Sequence, residues 1–235
     1  MNLKDATALV TGGSNGIGLA VARTLTEAGA KVAITGRGDA RLAAAANMIG
    51  AHPIQADVAK EADVLRSYRE LFQQFDHLDI LVNNAGFGVI KPLVEMDLAS
   101  FEKVFATNVT GAMLMAREAA KHFIERKSGN IVNIGSTSGV RGAAKGTAYY
   151  GSKFALRGMT ECWRAELRQY NVRVMLVNPS EVLTDFYATA GLAQNKGNPT
   201  KLRGNEIAHA VRSALEMDDR GFTIELTVFA TNPQD

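Results

Sequence analysis

The sequence predicts an α/β fold in which a doubly wound, parallel, seven-stranded sheet is covered by helices on both faces. Three observations carry that expectation. Short β-rich apolar runs alternate with helical segments along the 235-residue chain, the pattern of successive βαβ units. The run Asn130–Gly135 is apolar and bounded by glycines, as a strand buried on both faces is. No repeat, low-complexity tract or Pro/Ser-rich linker divides the chain, so residues 1–235 are expected to form one domain.

In order, Ala6–Thr11 is the first strand, and the turn Gly12–Gly18 leads into a helix from Leu19 to about Ala28. Gly29 ends that helix, because glycine takes the left-handed conformation at a helix C-terminus without a Cβ penalty. Lys31–Thr35 is the second strand and Asp39–Met48 an Ala-rich helix. Pro53–Ala56 is the third strand, Glu61–Gln74 a helix, and Asp79–Asn83 the fourth strand. One long helix is expected over Ala99–Glu125 before the strand at Asn130–Gly135. A segment rich in helix formers then runs to Arg168, followed by strand Val172–Val177. A helix near Asn205–Glu216 and strand Thr223–Val228 complete the series.

Composition narrows the function. The 26 Lys+Arg against 24 Asp+Glu leave the chain nearly neutral, and no basic block points to nucleic acid. No apolar run approaches the roughly 18 to 20 residues of a membrane span. The first residues pass straight into a strand, so neither a signal peptide nor a transit peptide is visible and a cytoplasmic protein is expected. The single cysteine, Cys162, falls in a helix pattern and is expected to be a buried, inert thiol. His52, His77, His122 and His209 show no ligand spacing, so no metal site is expected.

The chemistry concentrates between Ser136 and Lys153. If the helix after the strand includes Tyr149, then Tyr149 and Lys153 are four apart and share a face. A phenol with a reference pKa near ~10 is a poor acid or base at neutral pH. A neighbouring ammonium favours the phenolate and brings that pKa toward the working range. Ser136, at the strand end, could polarise a carbonyl that the tyrosine protonates. By itself such a pair reads as a packed tyrosine beside a solvated lysine, and the rest of the chain decides. In Thr11-Gly12-x-x-x-Gly16-x-Gly18, strand, glycine turn and helix succeed one another. That order places backbone N–H groups and a helix N-terminus around a pyrophosphate. Gly12 allows the tight turn, Gly16 close approach and Gly18 helix-on-strand packing, with Ser14, Asn15 and Ile17 completing the cradle.

This loop, the Asn83-Asn84-Ala85-Gly86 run, Asn108, Ser136 and Tyr149-x-x-x-Lys153 together resemble the short-chain dehydrogenase/reductase family, in order and spacing, over essentially the whole chain. The resemblance implies a Rossmann-type NADP(H)-binding catalytic domain. It implies Tyr149 as general acid in reduction and base in oxidation. Lys153 then tunes Tyr149 and holds the nicotinamide ribose, Ser136 orients the substrate oxygen, and Asn108 supports a proton relay. Asp57, with Val58 beside it, is similar to the adenine-binding position, and Asn84, Ala85 and Gly86 line the nucleotide cleft. Pro179, Val182 and Thr184 match nicotinamide contacts, although Ser180 stands where the family has glycine and Glu181 adds a charge.

Cofactor choice follows from the end of the second strand. Family members that prefer NAD carry a carboxylate there, which accepts from the ribose 2′-OH. Here Thr35-Gly36-Arg37 puts glycine in that place and an arginine after it, which suits a 2′-phosphate and predicts NADPH. Asn15 stands where a second basic residue is usual. A polar segment over about 185–203 is expected to form a substrate lid. The resemblance implies a carbonyl reductase or alcohol dehydrogenase close to the 3-oxoacyl-(acyl-carrier-protein) reductase-like members. Its substrate would be a small-molecule or acyl-thioester carbonyl, with diketones, quinones or sugars as alternatives. A homotetramer or homodimer is expected, with the apolar run from Glu225 as an edge covered by a partner. The rival readings are a non-catalytic NADP(H) sensor and an epimerase or dehydratase of the extended branch.

Overall fold

Strands that are apolar on both sides must be covered on both sides. The computed structural model, which describes residues 1–186, 190 and 198–232, satisfies that demand with one sheet between two helical layers. The strands are β1 (Thr7–Val10), β2 (Lys31–Gly36), β3 (His52–Gln55), β4 (Ile80–Asn83), β5 (Gly129–Ile134), β6 (Val172–Pro179) and β7 (Glu225–Val228). All neighbouring pairs are parallel, and the order is β3-β2-β1-β4-β5-β6-β7. The helices are α1 (Gly16–Glu27), α2 (Asp39–Ile49), α3 (Glu61–Gln74), α4 (Leu98–Phe105), α5 (Ala112–Arg126), α6 (Thr147–Leu167) and α7 (Gly204–Glu216).

Successive strand residues point to opposite faces, and the core divides accordingly. Val10, Ile34, Val82, Val132 and Val177 pack against α1, α2 and α7 through Val21, Leu25, Leu42, Val211 and Leu215. Leu9, Ile54, Leu81, Ile131 and Val174 face α3, α5 and α6 through Val64, Leu71, Met115, Phe123 and Leu167. The strand order reverses between β1 and β4. Ligands of open α/β sheets bind outside the carboxyl ends of the strands at such a switch point.

Three sequence expectations change. The helix expected over Ala99–Glu125 is two helices, α4 and α5, joined by a π-helical turn at Ala106–Gly111. One extra residue per turn leaves no periodicity signal, and such turns recur at functional sites; this one contains Asn108. Helix α1 begins at Gly16, three residues before the expected start at Leu19, because the last glycines of the turn already take part in its first turn. Cys162 is exposed rather than buried. The buried residues Ala148, Ser152, Leu156 and Thr160 repeat every four positions along α6, and Cys162 lies about half a turn off that stripe. Within the expected lid, residues 187–189 and 191–197 lie outside the described residues. Among the described residues no helix is long and apolar enough to cross a membrane.

His122 gives the fold a pH dependence. Its Nε2 accepts the Leu78 N–H at 3.2 Å. Burial holds the imidazole below its usual value, Arg126 and His77 push the same way, and Glu125 and Asp79 oppose. The folded state therefore resists a proton that the unfolded chain accepts near pH ~6.5. Stability is retained above that value and declines as pH falls below it. The urea midpoint is expected to be lower at pH 5.5 than at pH 7.5, with a smaller difference in His122→Gln; equal slopes in both proteins would contradict this.

Candidate active site

The carboxyl ends of β1, β2, β4, β5 and β6 open onto one cleft of about 750 Å³. Its floor begins with the turn between β1 and α1. Gly12 and Gly16 have φ of 63° and 54°, in the left-handed region that favours glycine. A Cβ on Gly12 would stand 3.0 Å from Ala85 Cα, and one on Gly18 would collide with Asn84 Nδ2 and the Gly12 carbonyl. The turn is fastened there by polar contacts. Thr11 Oγ1 accepts the N–H groups of Asn84 and Ala85, each at 3.0 Å, and Asn84 Nδ2 donates to the carbonyls of Thr11 at 2.9 Å and Gly12 at 3.2 Å. Asn15 leaves the first turn of α1 without a side-chain cap, and no acidic residue stands in that turn. Its N–H groups and positive dipole end therefore suit an anion. The loop has room and free donors for an anionic group.

Of the positions expected from the sequence, Gly12, Ser14, Asn15, Gly16, Ile17, Arg37, Asp57, Val58, Asn84, Ala85, Gly86, Ser136, Tyr149, Lys153, Pro179, Val182 and Thr184 all line this cleft. Gly18 and Asn108 are not part of its lining. At the end of β2, Gly36 stands where a carboxylate would favour a ribose 2′-OH, and a Cβ there would stand 3.3 Å from Ser14 Oγ. Arg37 is exposed, with its carbonyl accepting from Gln55 Nε2 at 3.0 Å. Arg41, on the first turn of α2, adds a second guanidinium to the same lining. Sequence reasoning passed over Arg41; the signal was its position four residues beyond Arg37, on an exposed face.

At the opposite end, Ser136 lies two residues beyond β5, and its Oγ accepts the Ser138 N–H at 3.1 Å. Ser138 thus serves Ser136 through its backbone, and its own hydroxyl-bearing side chain also lines the cleft. Helix α6 starts at Thr147, so Tyr149 and Lys153 do share a face. Ser136 hydrogen-bonds the Tyr149 hydroxyl and lowers its pKa, but burial of that hydroxyl wins and pushes it up to about 12. Lys153 does not provide the expected lowering. Its Nζ donates to the Ile134 carbonyl at 2.8 Å and lies 5.9 Å from the Tyr149 ring centroid. Burial brings the Lys153 ammonium down to about 8. At neutral pH the site therefore presents a protonated phenol beside a buried ammonium.

Asn108, 1% exposed, does not turn back on its own helix. Its Nδ2 donates to the Phe87 carbonyl at 2.9 Å and to Ser152 Oγ at 3.0 Å, and its Oδ1 accepts the Phe87 N–H at 3.1 Å. Ser152 Oγ in turn donates to the Tyr149 carbonyl at 2.7 Å. The π turn thereby ties the loop after β4 to the first turns of α6. Asp57 Oδ1 accepts the Ala59 N–H at 3.1 Å, which fixes its carboxylate in the turn after β3. Beyond Tyr149, the Phe186 ring packs at 4.8 Å between centroids, and a Cβ on Gly88 would stand 2.6 Å from Phe186 Cζ. Glu181, also on the lining, pairs with Lys201 at 2.6 Å. Among the described residues no cluster of three or more His, Cys, Asp or Glu side chains could hold a metal ion.

Comparison with known proteins matches this geometry. The sequence profile of the family described as short chain dehydrogenase matches residues 6–195. A 3-oxoacyl-(acyl-carrier-protein) reductase, FabG, of Aquifex aeolicus is 34% identical over 194 residues, covering 80% of this chain and 78% of the relative. The crystal structure of a 3-ketoacyl-(acyl-carrier-protein) reductase from Brucella melitensis complexed with NADH superposes with a TM-score of 0.91 at 28% identity, over 97% of this chain and 98% of that one. A metagenomic short-chain oxidoreductase in complex with NADP gives 0.85 at 31% identity, over 99% of this chain and all of that one. The chain is a short-chain dehydrogenase/reductase, an oxidoreductase built on the Rossmann-like fold of that family.

Proposed function

We propose that the chain is an NADPH-dependent carbonyl reductase acting on 3-oxoacyl thioesters or ketones of similar shape. The observation that carries this reading is the convergence, at one end of a glycine-lined cleft, of Ser136 hydrogen-bonded to a protonated Tyr149 with the buried Lys153 ammonium beneath. Gly12, Ser14, Asn15, Gly16 and Ile17 would hold the pyrophosphate. Asp57 and Val58 would meet the adenine, Asn84, Ala85 and Gly86 the middle of the cofactor, and Pro179, Val182 and Thr184 the nicotinamide. Bound there, the reduced nicotinamide supplies a hydride for the carbonyl carbon. Ser136 donates to the carbonyl oxygen and orients it. Tyr149 gives that oxygen its phenolic proton, and Lys153 would hold the nicotinamide ribose and pass a proton back toward Tyr149. Asn108 acts at one remove, holding the Tyr149 turn through Ser152 and supporting proton resupply past Lys153.

Two guanidiniums, Arg37 and Arg41, and no carboxylate at the end of β2 favour a 2′-phosphate. The similar solved structures contain NADH in one case and NADP in the other, so this chain's own residues carry the choice. Exposed Ile224 and Phe229 flank β7, which suits an edge covered in a dimer or tetramer.

Tyr149→Phe should lower turnover of a 3-oxoacyl thioester by roughly 10²- to 10⁴-fold while NADPH binding, followed by cofactor fluorescence, persists. Equal turnover in both proteins would refute the catalytic role, and no turnover by the wild type on a broad ketone panel would restore the sensor.

Arg37→Glu is expected to reverse the ratio of kcat/KM for NADPH over NADH, and Arg41→Glu to reduce it. A wild type that prefers NADH would reduce both arginines to surface charges.

Reduction should weaken as pH rises through about 8, where Lys153 loses its proton, and Tyr149 stays protonated up to about 12. In Lys153→Arg that limb should move out of range, because a guanidinium keeps its charge. A profile of kcat/KM that stays flat across pH 8 in the wild type would contradict the role given to Lys153.

A further inference from the structure

Ser136 is held by more than its own strand. Its backbone N–H donates to Asn178 Oδ1 at 3.2 Å, across to β6. Asn178 Nδ2 donates to Glu225 Oε1 at 2.7 Å on β7, and Glu225 Oε2 accepts from Arg157 at 3.1 Å. Arg157 lies one helical turn beyond Lys153 on α6. A line of polar contacts therefore leaves β5, crosses β6 and β7, and returns to the helix that bears Tyr149. Asn178 is 2% exposed and Ser136 8%, so water offers little replacement for a lost partner.

The direction of each bond matters. An amide can present either its oxygen or its NH₂, whereas a carboxylate only accepts. Glu225 thereby turns Nδ2 toward β7 and leaves Oδ1 facing Ser136. Without that acceptor the amide is free to rotate and oppose its NH₂ to the Ser136 N–H, donor against donor, which leaves a buried donor unsatisfied. Gly135 keeps the space open, since a Cβ there would collide with Asn178 Oδ1. Arg157 holds the carboxylate from the far side.

We propose that Asn178 and Glu225 are positioning residues that fix Ser136 relative to Tyr149, so that the seventh strand takes part in setting the catalytic geometry. The proposal rests on the enzymatic reading of Ser136, and its test separates the two. Amide hydrogen exchange at Ser136 would be measured alongside kcat and KM in Glu225→Ala, Glu225→Gln and the control Glu161→Gln. Glu161 contacts Arg157 at 3.5 Å from the exposed side.

In Glu225→Ala, faster exchange at Ser136 is expected, with kcat lower by roughly 10- to 100-fold and KM for the cofactor unchanged. Glu225→Gln can still offer an oxygen to Asn178, with its NH₂ facing the partly exposed Arg157, and should disturb both clearly less than alanine does, while Glu161→Gln should stay close to wild type. The exchanged pair Asn178→Asp with Glu225→Gln also satisfies Ser136, with the aspartate accepting its N–H and the glutamine amide donating to the aspartate. It should restore what Asn178→Asp alone loses, and it stands in if Glu225→Ala does not fold. Unchanged exchange in Glu225→Ala, glutamine as damaging as alanine, or faster exchange with full turnover would each overturn the proposal. A wild type inactive on every carbonyl would defeat the enzymatic reading, and with it the positioning role, while the exchange rates still report whether Glu225 orients Asn178.

Discussion

The architecture depends on a steric constraint at the point where the strand order reverses. The turn leaving β1 must pass within van der Waals reach of the loop leaving β4, and a side chain at Gly12 or Gly18 would occupy the space that Asn84 and Ala85 fill. Thr11 and Asn84 then fasten the two loops with hydrogen bonds. With that junction closed, α1 starts early and aims its N-terminus into the cleft. The remaining strands carry their ends to the same side, because parallel strands joined by helical crossovers all terminate on one edge.

At the other end of the cleft, desolvation governs the electrostatics. It raises the Tyr149 phenol and lowers the Lys153 ammonium, so both groups are driven toward their neutral forms. Against this stand two specific hydrogen bonds, from Ser136 to the phenol oxygen and from Lys153 to the Ile134 carbonyl. At neutral pH the phenol therefore carries its proton, the form in which it could give one to a carbonyl oxygen. The position of Ser136 therefore carries unusual weight, since its hydroxyl is the one partner that opposes burial at Tyr149.

Much of this was readable in the chain. Alternating strands and helices gave the sheet, because both-faced burial leaves an apolar run that composition alone exposes. The ordered set of Gly12, Asn84, Ser136, Tyr149 and Lys153 gave the cleft, and the structure brings those residues to one place. What was not readable depends on contacts between distant segments. The π turn at Ala106–Gly111 breaks no hydrophobic pattern, so Asn108 was placed on a continuous helix. The lowering of Tyr149 was assigned to Lys153 from their spacing and the family resemblance, while the side chain is drawn to the Ile134 carbonyl. Arg41, Ser152 and Asn178 acquire their roles only when α2, α6 and β6 are packed, and Cys162 is exposed because the buried stripe of α6 passes it by.

The most direct test of carbonyl reduction follows the transferred atom. NADPH deuterated at nicotinamide C4 would be incubated with the protein and a 3-oxoacyl thioester, and the product examined by mass spectrometry. A 3-hydroxyacyl thioester carrying deuterium at the former carbonyl carbon, formed by the wild type and not by Tyr149→Phe, is the expected result. Cofactor that stays reduced in the presence of that ketone and of simpler ones, or a product without deuterium, would contradict it.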